Sequence, residues 1–298
     1  MNSAASIAQA AALIRAGKLV AFPTETVYGL GANALDAAAV ERIFHAKNRP
    51  RNSPLIVHVD SLEMARRFAA EWPAAAETLA QRYWPGPLTL VLPKTREIPD
   101  IVTAGLPTVG LRVPDHPLAL GLIRAAGVPI AAPSANRFTE LSPTTAGHVS
   151  ESLADFVLDG GPARVGIEST VLSLAGPATQ LRPGVIPLPE IEALIGPVRL
   201  AEATAEGPHA SPGMHARHYR PKTPLYLMAG DEAEPPGRGA WLRIGREMPS
   251  GPKEYGAALY DALHRLDRQG FDWIAVERPP DTPEWAGILD RLERAAVG

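Results

Sequence analysis

Short apolar runs and helical periodicities alternate along the first two thirds of the chain. Apolar runs bounded by Gly or Pro predict buried strands, and apolar positions repeating every three or four residues predict amphipathic helices. The predicted strands span 19–22, 54–59, 88–92, 108–113, 128–132, 155–158, 169–174 and 179–182. The predicted helices span 6–16, 36–45, 60–68, 73–83, 116–126 and 143–153. Several late strands follow one another without a helix, so the pattern indicates an α/β domain with a mixed, twisted sheet.

The periodic pattern breaks near Gly196, where Ala, Glu, Gly and Pro replace the regular apolar positions. A stretch of this kind is typical of a linker between domains. Beyond it the apolar runs return, with predicted strands at 225–228, 240–244 and 271–276 and predicted helices at 253–268 and 284–296. The sequence therefore predicts a large domain over residues 1–200, a linker over 201–222 and a small α/β domain over 223–298.

Composition narrows the class of protein. The 298 residues carry a net charge of −3, so the surface as a whole lacks the basic excess of a nucleic-acid binder, and a phosphate ligand needs a local cluster. The absence of cysteine excludes disulfides, thiolate nucleophiles and zinc–sulfur sites. No uncharged apolar run approaches the ~20 residues of a membrane-spanning helix. Residues 4–16 contain Gln9 and Arg15, unlike a signal peptide. We expect a cytoplasmic protein with no membrane contact.

A hydroxyl-rich segment, residues 23–31, follows the first predicted strand and reads as a loop. Its hydroxyls and glycines are Thr24, Thr26, Tyr28, Gly29 and Gly31. Hydroxyls supply donors and acceptors, and glycine allows a ligand to approach the backbone closely. The alternative is an ordinary turn whose threonines cap backbone groups. The spacing matches neither a Walker A loop nor a Gly-x-Gly-x-x-Gly fingerprint, and the sequence suggests no role for Glu25.

A basic cluster follows about one helix later. It consists of Lys47, Arg49 and Arg51 beside Ser53. One cation at the end of a helix, Lys47, is explained by the helix dipole alone. Several convergent cations are what a triphosphate requires, so the cluster favours a phosphate site.

Two polar residues interrupt buried strands. His58 lies on the face opposite Leu55, Val57 and Val59, and a single histidine in such a position is more often structural than functional. Arg112 interrupts the strand at 108–113. A buried arginine needs a partner, either a structural carboxylate such as Asp115 or the carboxylate or phosphate of a ligand.

Two later segments also suit anions. A Pro-Ser-Ala-Asn loop follows the strand at 128–132, and Ser142 with Pro143 predicts the start of the helix at 143–153. A helix N-terminus ringed by hydroxyls binds anions, although plain capping by Ser142 is the alternative. Residues 211–219 hold His215 and His218 without further metal ligands nearby, so a segment that folds over a phosphate is favoured above a metal site.

No Ser-His-Asp order, carboxylate pair or series of metal ligands stands out in the sequence. An enzyme with these residues would therefore work by positioning its substrates and by electrostatic stabilisation. Phosphoryl and nucleotidyl transfer are chemistries that can be catalysed in this way.

Taken together, these segments resemble the YrdC-like family of L-threonylcarbamoyladenylate synthases in its long, two-domain form. The resemblance covers nearly the whole chain in family order and rests on many motifs at once. The matching stretches are Phe-Pro-Thr-Glu-Thr-Val-Tyr-Gly-Leu-Gly at 22–31, Lys-Asn-Arg-Pro at 47–50, Pro-Leu-Ile-Val-His-Val at 54–59, Trp-Pro-Gly-Pro-Leu-Thr at 84–89, Arg-Val-Pro at 112–114, Ala-Pro-Ser-Ala-Asn at 132–136, Glu-Ser-Thr-Val at 168–171, Leu-Arg-Pro-Gly at 181–184 and Ser-Pro-Gly-Met-His-Ala-Arg-His-Tyr at 211–219.

The resemblance implies a fold and an activity. The fold is a YrdC-like mixed sheet with helices, followed by a small Rossmann-like α/β domain. The activity is a nucleotidyltransferase reaction in which L-threonine, bicarbonate or carbon dioxide, and ATP give L-threonylcarbamoyl-AMP and pyrophosphate. The product would be handed to a transferase for threonylcarbamoyladenosine modification of tRNA. Mg²⁺ would accompany ATP, with no metal ligand from protein side chains and no organic cofactor.

The resemblance also implies site residues. L-Threonine would be held by Thr26, His58, Arg112, Ala132 and Ser169. ATP would be held by Arg49, Ser53, Thr108, Ser134, Asn136, Ser142, Arg182 and Tyr219. Lys47 and Arg49 would be catalytic, because they would stabilise the leaving pyrophosphate. Residues 211–219 would act as a lid that excludes water.

Two alternatives remain open at this point. The first is a double-stranded RNA or tRNA-binding module without catalysis, which the net charge disfavours but a local basic patch would permit. The second is carbamoyl-adenylate chemistry of the hydrogenase-maturation type on a related domain, which would bring zinc-finger and acylphosphatase segments that we do not find. A weak contact between the synthase itself and tRNA also stays open.

Overall fold

A computed structural model describes residues 3–201, 219–229 and 232–297. The helices are α1 Ser3–Arg15, α2 Ala37–Lys47, α3 Leu62–Phe68, α4 Ala74–Tyr83, α5 Pro117–Ala126, α6 Leu188–Ile195, α7 Pro252–Asp267 and α8 Ala286–Ala295. The strands are β1 Val20–Phe22, β2 Gly29–Asn33, β3 Ile56–His58, β4 Leu88–Pro93, β5 Thr108–Arg112, β6 Ile130–Ala131, β7 Phe156–Val157, β8 Thr170–Ser173, β9 Thr179–Arg182, β10 Arg199–Leu200, β11 Leu225–Met228, β12 Gly239–Leu242 and β13 Trp273–Glu277.

The first ten strands form one mixed sheet, in the order β10-β9-β8-β4-β5-β3-β6-β2-β1-β7. The sheet combines parallel pairs, such as β3 with β5, and antiparallel pairs, such as β4 with β5. Helices α2, α3, α4 and α6 contribute buried side chains to the apolar layer on one face, and α1 and α5 contribute to the layer on the other. Because both faces of the sheet are covered, its strands are apolar on both sides, which explains the short continuous runs in the sequence.

The second sheet has three parallel strands in the order β11-β13-β12, and α7 and α8 pack with it. The predicted fold class, a mixed sheet with helices plus a small α/β domain, is therefore confirmed. The boundaries at 200 and 222 stay a prediction, and the linker residues 202–218, including most of the predicted lid, lie outside the described residues. Within the described ranges, no helix combines the length and apolarity needed to cross a membrane.

Two local predictions are wrong. The segment 23–31 is only partly a loop, because Gly29 to Asn33 form a strand that pairs with β1 through Phe22 and Gly29. The helix at 143–153 is absent, and only a 3₁₀ turn spans Ala146–His148. The carbonyl oxygens of Pro143 and Thr144 accept backbone N–H groups from Tyr28 and Ala163 instead, so they cannot start an α-helical ladder.

The small domain packs against the loops of the large one through a shared apolar cluster. Val27, Leu141 and Ile167 of the large domain lie in this cluster together with residues of α7 and α8 and with Tyr219. The second domain therefore covers the loops that follow β1 and precede β8.

Candidate active site

A small cavity lies where the loop after β1 meets the ends of β3, β5 and β6 and the segment before β8. Its open volume is about 50 Å³. The lining residues are Thr24, Thr26, Val27, Gly29, Arg49, Ile56, His58, Arg112, Ala132, Pro133, Ser134, Glu168, Ser169, Arg182 and Tyr219. The structure thus brings together every residue predicted for threonine, and Arg49, Ser134, Arg182 and Tyr219 from the set predicted for ATP.

Arg112 ends strand β5 and is held by a buried acidic partner. Its Nη2 lies 2.7 Å from Glu25 Oε1 and donates a hydrogen bond of 2.9 Å to Thr26 Oγ1. Its Nε donates to the Gly86 carbonyl oxygen at 3.3 Å. The structural carboxylate is therefore Glu25 and not Asp115, whose backbone N–H donates to Glu25 Oε2 at 3.1 Å. The ion pair fixes the direction of the guanidinium, which lines the cavity.

The loop that carries Thr26 is ordered by its own hydroxyl groups. Thr24 Oγ1 donates to the Val27 carbonyl oxygen at 2.7 Å and accepts the backbone N–H groups of Thr26 and Val27 at 3.2 Å. This is a turn closed by a side chain, so the alternative of a capped turn is correct for Thr24. Thr26 Oγ1 faces Arg112 and the cavity.

His58 sits beside Arg112, because β3 and β5 pair in parallel with these two residues in register. Burial and the charge of Arg112 lower the pKa of His58 to about 3. Its Nδ1 is buried and has no hydrogen-bond partner in the described part of the chain. A neutral imidazole with an unsatisfied ring nitrogen can exchange a hydrogen bond with a polar ligand but cannot supply charge.

The opposite wall consists of Glu168, Ser169 and Arg182. Ser169 Oγ is within 2.8 Å of Thr89 Oγ1, and Arg182 Nη2 donates to Ser169 Oγ at 3.2 Å. Arg182 Nε also donates to the Ser169 carbonyl oxygen at 3.1 Å. The Ser169 hydroxyl, which is predicted to bind L-threonine, therefore lies next to the Arg182 guanidinium, which is predicted to bind ATP.

The basic cluster after α2 divides into two roles. Lys47 is buried, and its Nζ donates to the carbonyl oxygens of Ser134, at 2.6 Å, and of Asn136. Burial and the charge of Arg49 lower the pKa of Lys47 well below its usual value. Arg49 donates to Ser53 Oγ and to the Pro54 carbonyl oxygen at 3.2 Å, and it faces the cavity. Lys47 therefore fixes the loop after β6, whereas Arg49, which is 7% exposed, supplies the cation that lines the cavity.

The remaining predicted residues lie outside the cavity lining. Ser53 touches Arg49, and Ser142 Oγ donates to Glu168 Oε1 at 2.5 Å. Asn136 lines a neighbouring cavity, and its Oδ1 is buried without a hydrogen-bond partner among the described residues. Thr108 begins β5 and lines a separate small cavity. Ile56 lines both this cavity and the larger site.

Two carboxylates of the site were not predicted. Glu25 lies in the middle of the hydroxyl-rich loop, and Glu168 precedes Ser169; both are at least nine-tenths buried. The signal that could have found them is charge balance, since several buried cations in one site require acidic partners.

Family models match both domains of the chain. Residues 12–184 match the Sua5/YciO/YrdC family model, described as telomere recombination, and residues 186–297 match the model of the threonylcarbamoyl-AMP synthase C-terminal domain. The chain belongs to the Sua5/YrdC family. The family predicted from the motifs is thereby confirmed, in its two-domain form.

Relatives in this family are similar over nearly their whole length. The threonylcarbamoyl-AMP synthase of Pyrococcus abyssi is 43% identical over 316 residues, which covers 96% of this chain and 93% of the relative. That of Bacillus subtilis is 44% identical over 322 residues, covering 98% and 93%. The crystal structure of P. abyssi Sua5 complexed with L-threonine superposes with a TM-score of 0.91 at 41% identity, covering 97% of this chain and 94% of that one.

Proposed function

We propose that this chain is a threonylcarbamoyl-AMP synthase, which joins L-threonine, carbon dioxide or bicarbonate, and ATP to form L-threonylcarbamoyl-AMP and pyrophosphate. The observation that carries the proposal is the convergence of Arg112, Arg49 and Arg182 on one cavity of a Sua5/YrdC-family chain. A carboxylate and a phosphate chain on neighbouring substrates are the anions that such an arrangement suits.

The threonine half of the cavity would bind the amino acid at both ends. Arg112, already oriented by Glu25, suits the carboxylate, and Thr26, His58 and Ser169 offer uncharged hydrogen-bonding groups. Val27, Ile56 and Ala132 supply apolar surface for the threonine methyl group. One methyl group in such a pocket discriminates by ~1–3 kcal/mol, so serine would bind more weakly.

The nucleotide half would use Arg49 and Arg182. Burial lowers the pKa of Arg49 to about 10, which still leaves it protonated at pH 7. Lys47 would contribute by holding the loop from Pro133 to Asn136, which places Ser134 at the cavity. Ser53 would act in turn by holding Arg49.

The chemistry needs no covalent enzyme intermediate. A bond forms between the threonine nitrogen and carbon dioxide as a proton leaves the amine, and the product is a carbamate. A carbamate oxygen then bonds to the α-phosphorus while the bond from that phosphorus to the bridging oxygen of pyrophosphate breaks. Negative charge builds on the leaving pyrophosphate, so the cations are needed there and catalysis is electrostatic.

Magnesium would enter with ATP, because Mg²⁺ binds mainly through substrate phosphates, water and few protein oxygens. In the described ranges no group of three or more His, Asp or Glu side chains is placed to hold a metal. When bound, the ion would neutralise phosphate charge.

The product, a mixed anhydride, would pass in the cytoplasm to a transferase that modifies tRNA. A mixed anhydride hydrolyses easily, which favours transfer from a closed site. A weak direct contact with tRNA remains part of the proposal, whereas a purely RNA-binding role does not explain a buried pocket for a small molecule.

The deciding experiment measures pyrophosphate released by the purified protein with MgATP, bicarbonate and L-threonine. We expect release that depends on threonine and falls at least several-fold with L-serine, because the apolar wall then lacks the methyl group. Pyrophosphate release that continues when threonine is omitted would contradict the assignment.

A further inference from the structure

The wall of the cavity formed by Glu168 is held from the second domain. Glu168 Oε2 accepts hydrogen bonds from Arg291 Nε at 2.9 Å and from the Tyr260 hydroxyl at 3.2 Å. Arg291 lies on α8 and Tyr260 on α7, the two helices of the small domain. The other carboxylate oxygen accepts from Ser142. Three side-chain donors, two of them from the second domain, thus hold the Glu168 carboxylate in place.

Arg291 grips the same wall through the backbone. Its Nη2 donates to the Glu168 carbonyl oxygen at 3.2 Å, and its Nη1 donates to the Pro183 carbonyl oxygen at 2.8 Å. Residues 168 and 183 directly adjoin Ser169 and Arg182, which line the cavity. The Arg291 guanidinium thus fixes the chain at the start of β8 and at the end of β9. Ser169 and Arg182, whose side chains face the cavity, lie at these two places.

Burial makes this grip costly to lose. Arg291 is 1% exposed, and its guanidinium also lies over the ring of Tyr219, with 5.4 Å from Cζ to the ring centroid. Burial alone would raise the pKa of Glu168, but Arg291 and Arg182 outweigh it and lower the pKa. A buried carboxylate without these cations would change either its protonation or its position.

We propose that Arg291 is a positioning residue of the active site: by binding Glu168 and Pro183 it sets the places of Ser169 and Arg182. The second domain is thereby a structural part of the substrate pocket, and its last helix supplies the residue on which the pocket depends. The kinetic consequences of this inference rest on the proposed function, whereas the contacts of Arg291 from which it is drawn do not depend on that function.

The primary test compares Arg291→Met and Arg291→Lys with the wild-type enzyme in the pyrophosphate assay. Met keeps the length and loses every hydrogen bond; Lys keeps the charge but cannot bind the Glu168 carboxylate and the Glu168 and Pro183 carbonyl oxygens at once. We expect the KM for threonine to rise at least tenfold in Arg291→Met, with a smaller rise in Arg291→Lys. Arg278→Met is the matched control, because it breaks an exposed ion pair with Glu293, which lies on α8 like Arg291. The kinetics of this variant should equal those of the wild type.

A double mutant separates positioning from general stability. In a Glu168→Gln background the Arg291→Met change should raise the threonine KM less than it does in the wild type, because the carboxylate contact is gone and only the contacts of Arg291 with the Glu168 and Pro183 carbonyl oxygens remain to be lost. A purely structural arginine would lower the melting temperature in both backgrounds and leave the threonine KM of the folded variants unchanged.

Each outcome decides the matter. Folded Arg291→Met or Arg291→Lys protein with a threonine KM within twofold of wild type overturns the proposal; if the Met variant does not fold, the Lys variant decides alone. A wild-type protein without threonine-dependent pyrophosphate release contradicts the proposed function instead. In that event, threonine binding measured by calorimetry in wild type and Arg291→Lys still tests the positioning role, and equal affinities overturn it.

Discussion

At the scale of single residues, the site is built from buried charges that come in pairs. Glu25 with Arg112 and Glu168 with Arg291 each join a carboxylate and a guanidinium that are almost entirely excluded from water. Such pairs contribute little net stability, but removing one partner leaves the other buried and uncompensated. Their value is in orientation, because Glu25 fixes the direction of Arg112 and Arg291 fixes the place of Glu168.

The Arg112 pair yields a prediction that separates folding from binding. Arg112→Ala should lower the free energy of unfolding by about 3–5 kcal/mol, because the Glu25 carboxylate is left buried without its cation. Adding Glu25→Gln should recover most of this loss, since the amide carries no charge. Threonine affinity should remain lost in both variants, because neither has a guanidinium for the substrate carboxylate.

Urea denaturation and calorimetric titration with threonine measure these two quantities. ATP binding is the internal control, since Arg49 and Arg182 are unchanged and the nucleotide should lose far less affinity. Recovery of threonine binding in Arg112→Ala/Glu25→Gln would rule out the carboxylate role of Arg112, and equal stability of Arg112→Ala and the wild type would rule out the buried-charge argument.

The sequence shows which residues of this site need partners but not which partners they find. An arginine in a buried strand demanded an anion, and Asp115 was the nearest candidate in the chain. The partner is Glu25, which only the sheet order brings alongside. Arg291 and Glu168 are 123 residues apart and have no motif in common. Pairings of this kind follow from tertiary packing, which local patterns do not encode.

At the scale of elements, β2 is a strand whose sequence resembles that of a loop, because close packing requires glycine in it. A Cβ built on Gly31 would lie 2.8 Å from both Ile130 Cγ2 and Phe22 Cε1, whereas real contacts of this kind are wider. The glycine is therefore required by the neighbouring strands β1 and β6, and not by a turn. Glycine is normally rare in strands, so this sequence pattern favours a loop.

Gly31→Ala should accordingly destabilise the large domain. Forcing a methyl group into a packed layer costs about 1–3 kcal/mol, and β2 also leads out of the loop that carries Thr26. Gly176→Ala is the matched control, because nothing lies within 4 Å of its built Cβ and its backbone is not left-handed. Urea midpoints compare the two; a Gly31→Ala midpoint no lower than that of Gly176→Ala would contradict the packing argument.

Two of the predicted helices begin directly after a side-chain cap. Asp36 accepts the backbone N–H groups of Ala38 and Ala39, as an N-cap should, and α2 begins directly after it. The helix predicted at 60–68 begins at Leu62, directly after Ser61, whose hydroxyl oxygen accepts the backbone N–H of Met64. The helix predicted at 143–153 does not form, although Ser142 and Pro143 are good start signals. The carbonyl oxygens of Pro143 and Thr144 instead accept hydrogen bonds from distant parts of the chain.

At the scale of the whole molecule, the second domain closes the polar side of the site. Arg291 and Tyr260 bind Glu168, and His264 Nε2 lies 3.1 Å from the Ser142 carbonyl oxygen. The order of motifs in the sequence identified both domains, but not that the small one forms part of the wall. That contact depends on polar residues distributed along α7 and α8. The apolar periodicity of these segments predicts that they are helices, but not which part of the protein each helix contacts.

A pair of stacked histidines between the domains predicts that stability depends on pH. His148 of the large domain stacks on His264 of α7, with ring centroids 4.0 Å apart, and Asp261 Oδ1 lies 3.5 Å from His148 Nε2. Burial, with His264 and Arg268 adding to it, lowers the pKa of His148 to about 4, and burial also lowers that of His264. In the unfolded chain both titrate near ~6.5, so the unfolded state binds more protons below that pH.

Stability should therefore be complete above about pH 6.5 and should fall as the pH is lowered toward 4, by at most ~1.4 kcal/mol per pH unit for each histidine. His148→Gln keeps an acceptor for Thr144 N but cannot titrate, so its melting temperature should fall less between pH 6.5 and 4.5 than that of the wild type. His45→Gln is the control, because His45 is exposed on α2. His58 titrates lower and is the same in all three proteins, so it does not affect the comparison. Parallel curves for wild type and His148→Gln would show that the stacked pair does not set the acid limit of the fold.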